Sequence, residues 1–242
     1  MWPFKKRISL KSSGIFVGFT DWHSHILPGV DDGVQTMEES LAILKQYEAL
    51  GVKAVWLTPH IMEDIPNTTT RLKERFAELQ QAYSGPVVLH LAAENMLDHL
   101  FEERLESNDL LPIGDAGNRL LVETSYFNPP MNLYETLERI KGKGYYPVLA
   151  HPERYVYMGD RDYRRLKEMG VEFQLNLFSL IGTYGRRGNI ESRRLLKNRF
   201  YDMIGSDIHS YVVYKESILK EELDQCLFSQ LFMIKNDCLG LI

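Results

Sequence analysis

Cysteine is nearly missing from this chain. Two occur among 242 residues, Cys226 and Cys238, both near the C-terminus. Two make no disulfide framework, so free thiols and a cytoplasmic, reducing location are expected. Positive charge is not in excess: 28 Lys and Arg stand against 33 Asp and Glu, a formal net charge of -5. A nucleic-acid binder held by bulk basic charge is therefore not expected. No apolar run approaches the ~20 residues needed to cross a bilayer. The opening MWPFKKRISLKSSGIFVGF has no apolar stretch of signal-peptide length. Repeats and low-complexity linkers are also missing. No G-x-G-x-x-G follows the first expected strand, which weighs against dinucleotide binding. Ser24 and Ser206 lie outside any G-x-S-x-G elbow, which weighs against a serine hydrolase.

What is there suits a folded α/β chain. Hydrophobic residues make up 44% and charged residues 25%, as in ordinary globular proteins. Residues 1–18 read as a basic N-terminal tail with Lys5, Lys6, Arg7 and Lys11. Residues 19–242 read as a single domain. Strands are expected at 19–25, 54–59, 86–93, 120–124, 147–150, 173–177 and 203–205. Helices are expected at 36–50, 70–82, 98–107, 132–143, 161–169, 191–198 and 215–232. Thr36 and Glu39 have the spacing of a capping box, and Gly51 is placed to end that helix. About seven β-α units in succession imply parallel strands with right-handed crossovers. A closed, distorted barrel and an open doubly wound sheet both fit this alternation.

In parallel α/β folds, chemistry gathers at the C-terminal ends of strands. Here those ends carry His23, His25, Asp32, His60, Glu94, Glu123, His151, Asp207 and His209. One such histidine alone is usually a hydrogen-bonded core residue. Five together with four acids point instead to a shared metal centre. His23 and His25, two apart on a strand, face the same way and can address one ion. Asp207 and His209 have the same spacing. Imidazole with carboxylate suits Zn, Mn or Fe, and a bridging carboxylate can hold two ions ~4 Å apart. Arg154, just past His151, has the planar fork that grips phosphate, although a surface arginine paired with an acid is the plain alternative. His90 and His99 fall off the pattern and read as structural.

The ordered series Asp21-Trp22-His23-Ser24-His25 with Asp31-Asp32-Gly33, Thr58-Pro59-His60, Ala93-Glu94, Val122-Glu123, Ala150-His151-Pro152-Glu153-Arg154-Tyr155, Gln174-Leu175-Asn176 and Gly205-Ser206-Asp207-Ile208-His209 resembles the PHP (polymerase and histidinol phosphatase) superfamily. More narrowly, it is similar to the bacterial manganese-dependent tyrosine-protein phosphatases of the CpsB/YwqE type, over about residues 20–235. The resemblance implies a distorted (β/α)7 barrel with its metal site at the C-terminal strand ends. It implies two or three divalent ions, Mn first, with Fe or Zn also accepted. One ion would take His23, His25, Glu94 and Asp207. A second would share Glu94 and add Glu123 and His151. A third would take Asp32, His60 and His209. Arg154 would bind phosphate, and Arg154, Asp207 and His209 would form the catalytic set. The implied substrate is a phosphotyrosine protein, an autophosphorylating bacterial tyrosine kinase that governs capsule or exopolysaccharide synthesis. Where relatives commonly carry a second arginine, this chain has Tyr214, with Lys215 beside it. Two rival readings are a small-molecule phosphatase of the histidinol-phosphate kind and a metal-binding regulatory domain without catalysis.

Overall fold

The structure is a computed structural model, and it describes residues 7–114 and 116–237. In chain order the strands are β1 (Ile8–Ser9), β2 (Thr20–Ser24), β3 (Ala54–Leu57), β4 (His60–Ile61), β5 (Val88–Leu91), β6 (Glu94–Met96), β7 (Arg119–Glu123), β8 (Tyr146–Ala150), β9 (Glu172–Asn176), β10 (Met203–Gly205) and β11 (Glu221–Leu223). The helices are α1 (Leu10–Ser13), α2 (Met37–Leu50), α3 (Thr69–Ala82), α4 (His99–Ser107), α5 (Leu133–Gly142), α6 (Asp160–Glu168), α7 (Gly185–Lys197), α8 (Tyr211–Ser217) and α9 (Gln225–Asp237).

The parallel strands form a curled sheet in two sections. One runs β10-β9-β8-β7-β6-β4 and the other β2-β3-β5. The expected second and third strands stop short, as β3 and β5, and after breaks at Thr58-Pro59 and Ala92-Ala93 the chain resumes as β4 and β6 in the other section. Pro59 has no N–H for a ladder, which fits a break there. Hydrogen bonds continue across both breaks: Ala92 N–H reaches Leu57 O at 2.9 Å and Glu94 N–H reaches Pro59 O at 3.1 Å. On the opposite side, Asp207 N–H donates to His23 O at 2.8 Å and His25 N–H to Ile208 O at 2.9 Å. The chain after β10 is thereby tied to β2.

Local chemistry explains the helices. Thr36 caps α2 by accepting from the Glu39 N–H at 3.2 Å, and Gly51 ends it at φ 80°. The expected reciprocal half of the capping box is not made. Glu39 instead accepts from Tyr211 N–H at 2.9 Å, tying α2 to α8. Leu133, Leu137 and Ile140 fall on one face of α5 and are buried. In β7 and β8, the consecutive runs Leu120–Glu123 and Pro147–Ala150 are buried, as expected of parallel strands covered on both faces. Trp22 fills core volume by stacking on Trp56, with ring centroids 5.9 Å apart.

Three expectations need correction. Residues 1–6 of the expected tail lie outside the described residues, but the segment after them is packed. Ile8 pairs with Leu223 in an antiparallel ladder, and Leu10, Ile15 and Phe16 are buried. Apolar side chains hidden among basic neighbours gave no periodic signal. The expected closing helix at 215–232 is also three elements, α8, β11 and α9. Its middle becomes a strand because β1 supplies a partner more than 200 residues away, which no local pattern reveals. Helix α7 starts at Gly185, earlier than expected, since its glycines hide the helical period.

Candidate metal centre

The strand ends bring all five expected histidines and all four expected acids to one place. Glu94, at the start of β6, lies at its centre. Its Oε2 is 3.0 Å from His23 Nε2, 3.1 Å from His25 Nε2 and 3.2 Å from His60 Nδ1. Its Oε1 is 3.0 Å from His151 Nε2. Four imidazoles therefore converge on one buried carboxylate.

Three sets of side chains have ligand atoms close enough to share an ion: His23, His25, Glu94 and Asp207; His60, Glu94 and Glu123; and His25, Asp32, His60 and His209. His60 bridges the second and third, with Nδ1 2.9 Å from Glu123 Oε1 and Nε2 3.5 Å from Asp32 Oδ1. His209 stacks on His25 at 4.0 Å between centroids, with Nε2 3.6 Å from Asp32. His151 meets this cluster through Glu94. His90 stacks on Trp56 at 4.5 Å, and His99 is exposed at the start of α4, so neither joins it.

The donor atoms fit cations. His60 Nδ1 and Glu123 Oε1 are buried, 2.9 Å apart, yet neither forms a hydrogen bond. Orphaned buried polar atoms are costly unless something else satisfies them. His23 Nε2 and His25 Nε2 also face each other at 2.9 Å beside Glu94 and Asp207. Such crowding of lone pairs suits a shared positive charge. The titration behaviour agrees. Burial alone raises the Glu94 carboxyl, but His23 and His60 outweigh it and hold it well below the usual range. Burial likewise opposes ionisation of Asp207, and His23 and His209 overcome it. His25 loses charge stability by burial, yet Asp31 and Asp207 carry it well above the ordinary imidazole value. That same negative field attracts metal ions.

A supporting layer fixes these side chains. Asp31, named in the sequence only as a neighbour of Asp32, contacts His25 Nδ1 at 2.8 Å and accepts the His60 N–H at 3.0 Å. Burial alone raises the Asp31 carboxyl, yet His25 pulls it down to about 2. Gln174 holds His23 Nδ1 at 3.0 Å and the His151 N–H at 3.3 Å. Asp21 accepts from Ser206 N–H at 2.7 Å, Ser206 Oγ at 2.6 Å and Tyr47 hydroxyl. Asn176 Nδ2 donates to Asp207 Oδ2 at 2.7 Å. Metal sites depend on such second contacts to orient their ligands. Backbone strain sits here too: His151 has φ 33° and Asp207 φ 52°, where L side chains are disfavoured. Asp207 therefore leaves the strand, and simple alternation does not place His209. Its Nδ1 instead bonds Asp207 O at 3.0 Å.

A pocket of about 340 Å³ opens over the cluster, lined by Asp32, His60, His151, Arg154, Asp207 and His209, among others. Arg154 Nη1 donates to Asp207 Oδ2 at 2.8 Å. Tyr214 also lines the pocket and is fully buried, whereas Lys215 is exposed over the Tyr211 ring.

Fold and site together define an α/β protein with a curled parallel sheet and a candidate centre for several divalent cations. The chain belongs to the capsular polysaccharide synthesis CpsB/CapC family, whose sequence model matches residues 19–224. Tyrosine-protein phosphatase YwqE of Bacillus subtilis is 27% identical over 201 residues, covering 78% of this chain and 77% of its own. Tyrosine-protein phosphatase CpsB of Streptococcus pneumoniae is 28% identical over 203 residues, covering 78% and 82%. A crystal structure from work on YwqE and CpsB, described as metal-dependent tyrosine phosphatases, matches with a TM-score of 0.76 at 22% identity. It covers 92% of this chain and 93% of that one. That likeness is one of fold.

Proposed function

We infer that the chain is a metal-dependent protein-tyrosine phosphatase acting in the control of capsule or exopolysaccharide synthesis. One observation carries this reading: four imidazoles meet on the single buried carboxylate of Glu94, under a pocket that also holds an arginine. Family membership supplies the substrate class. The fold is read as a distorted (β/α)7 barrel of the PHP type, with its metal site at the C-terminal strand ends. Two broken strands count as one each, and the ties between β2 and the Asp207–Ile208 segment support closure.

His23, His25, Glu94 and Asp207 would hold one ion. Glu94, Glu123 and His151 would hold a second, and Asp32, His60 and His209 a third, with His60 also within reach of the second. Manganese is the first choice, and iron and zinc accept the same donors. Bound divalent ions supply charge that draws in phosphate and acidity that makes water a nucleophile near neutral pH. Arg154 grips equatorial phosphate oxygens and stabilises their charge. Asp207 keeps Oδ1 toward the histidines and Oδ2 toward Arg154 and Asn176, so it couples the two halves of the site. The substrate would be an autophosphorylating tyrosine kinase, met in the cytoplasm; among the described residues no helix is long and apolar enough to cross a membrane.

The test is metal content of the purified chain, paired with manganese-dependent turnover of a phosphotyrosine peptide and of histidinol phosphate. Peptide turnover in preference to histidinol phosphate is expected. The reverse preference would assign a small-molecule phosphatase. Bound metal without turnover of either would leave a regulatory domain.

A further inference from the structure

The guanidinium of Arg154 is held by two tyrosines. Its Cζ lies 4.4 Å from the Tyr126 ring centroid and 4.3 Å from the Tyr184 centroid. Cationic guanidinium over an aromatic face is favourable, and here two rings hold the same cation. The two rings come from distant segments. Tyr126 follows β7, and Tyr184 precedes α7. Both are anchored beside the metal ligands: Tyr126 O accepts the Val156 N–H at 2.8 Å, and Tyr184 hydroxyl donates to Asp207 O at 3.1 Å. All three side chains line the same pocket.

The clamp solves a specific problem. Arg154 stands next to Asp207, and a two-point fork on a carboxylate is a geometry open to any guanidinium. Such a fork would use up the donors intended for substrate and draw Asp207 away from the histidines. Instead Arg154 makes a single contact, Nη1 to Oδ2, on an oxygen that Asn176 already occupies. Asp207 Oδ1 stays 3.4 Å from both His23 Nε2 and His25 Nε2. Held by both rings, the guanidinium lines the pocket beside them.

We propose that Tyr126 and Tyr184 are positioning residues that fix the plane of Arg154, so that its free edge meets a phosphate in two-point fashion. This rests on the phosphatase reading, in which Arg154 is the phosphate contact. Neither ring need touch the reacting atoms. A phosphate ester would therefore feel their loss through Arg154.

The experiment uses the full manganese-loaded chain, para-nitrophenyl phosphate as substrate and inorganic phosphate as competitive inhibitor. Tyr126→Leu and Tyr184→Leu should each raise KM and the inhibition constant of phosphate about fivefold to tenfold, with a smaller change in kcat. Tyr126→Phe keeps the ring face and should restore near-normal values. In an Arg154→Ala background, Tyr126→Leu should cause no further change, because the effect passes through that side chain. If either leucine variant does not fold, Tyr126→Met and Tyr184→Met, whose flexible chains adapt to the space a ring leaves, are read the same way. Unchanged phosphate inhibition in the ring-less variants would overturn the proposal, as would an equal loss in the Arg154→Ala background. If the wild-type chain hydrolyses no aryl phosphate, the phosphatase reading falls. Calorimetry with inorganic phosphate then judges the clamp alone: weaker binding in the leucine variants upholds it, and equal binding overturns it.

Discussion

Asp31 Oδ2 sits 2.8 Å from His25 Nδ1, and that contact decides which nitrogen of His25 faces the cluster. A carboxylate can only accept, so Nδ1 carries a hydrogen, and Nε2, facing Glu94 and Asp207, is the nitrogen a cation would take by displacing its proton. The same oxygen accepts the His60 N–H at 3.0 Å, so one acid sets two ligands.

Asp31→Ala should therefore leave the chain folded but weaken metal affinity by about 10-fold to 100-fold, the usual loss when a ligand's orienting partner is removed. Manganese titration of activity reads this directly. An unaltered manganese requirement would make Asp31 a loop residue without influence on the site.

Metal removal should cost stability as well as turnover. The cluster buries carboxylates and imidazoles whose unpaired atoms a cation would satisfy. An ion at 100 times its Kd adds about 2.7 kcal/mol. For a chain of this length that corresponds to a rise in Tm of roughly 5–10 °C. Calorimetric scans with manganese and with a chelator compare the two states. Superimposable melting curves would argue that these atoms hold no metal.

Arg154→Lys should raise KM and lower kcat, with kcat/KM falling about tenfold or more, because an ammonium cannot reproduce the two-point fork. Steady-state kinetics on a phosphotyrosine peptide measure it. Equal kcat/KM in the variant would remove Arg154 from the phosphate site.

Gly205 is pressed against the ligands. A Cβ there would lie 2.4 Å from His23 Cβ and 2.7 Å from Gln174 Nε2, both buried. Gly205→Ala must displace His23 or its partner. It should destabilise by about 1–3 kcal/mol and reduce metal retention. Gly142→Ala, at a helical position with open space, is the matched control and should not lower Tm. Identical metal content and melting in the two variants would show that His23 tolerates displacement.

Much of the fold was legible because its signals are short-range. Leu133, Leu137 and Ile140 repeat at helical spacing, and Thr36 and Gly51 bracket α2 with residues suited to its ends. The clustering of His and acidic side chains was legible for a related reason: these residues recur where apolar runs stop, and in parallel α/β proteins those stops share a face. Gln174 and Asp31 stood in the same motifs, but their roles were not. Gln174 reaches His23 across 151 residues, and no spacing within the chain encodes that bond.

By itself, then, the amino-acid order determined the β-α alternation, the identity of the nine ligand-type side chains and the arginine beyond His151. Local periodicity and residue chemistry are sufficient for those. Tertiary structure alone decided where β3 and β5 hand over to β4 and β6, and that residues 8–9 pair with residues 221–223. It also decided that Tyr126 and Tyr184 both meet Arg154. The last two join segments far apart in the chain, and all three depend on how the whole sheet curls rather than on any stretch of it.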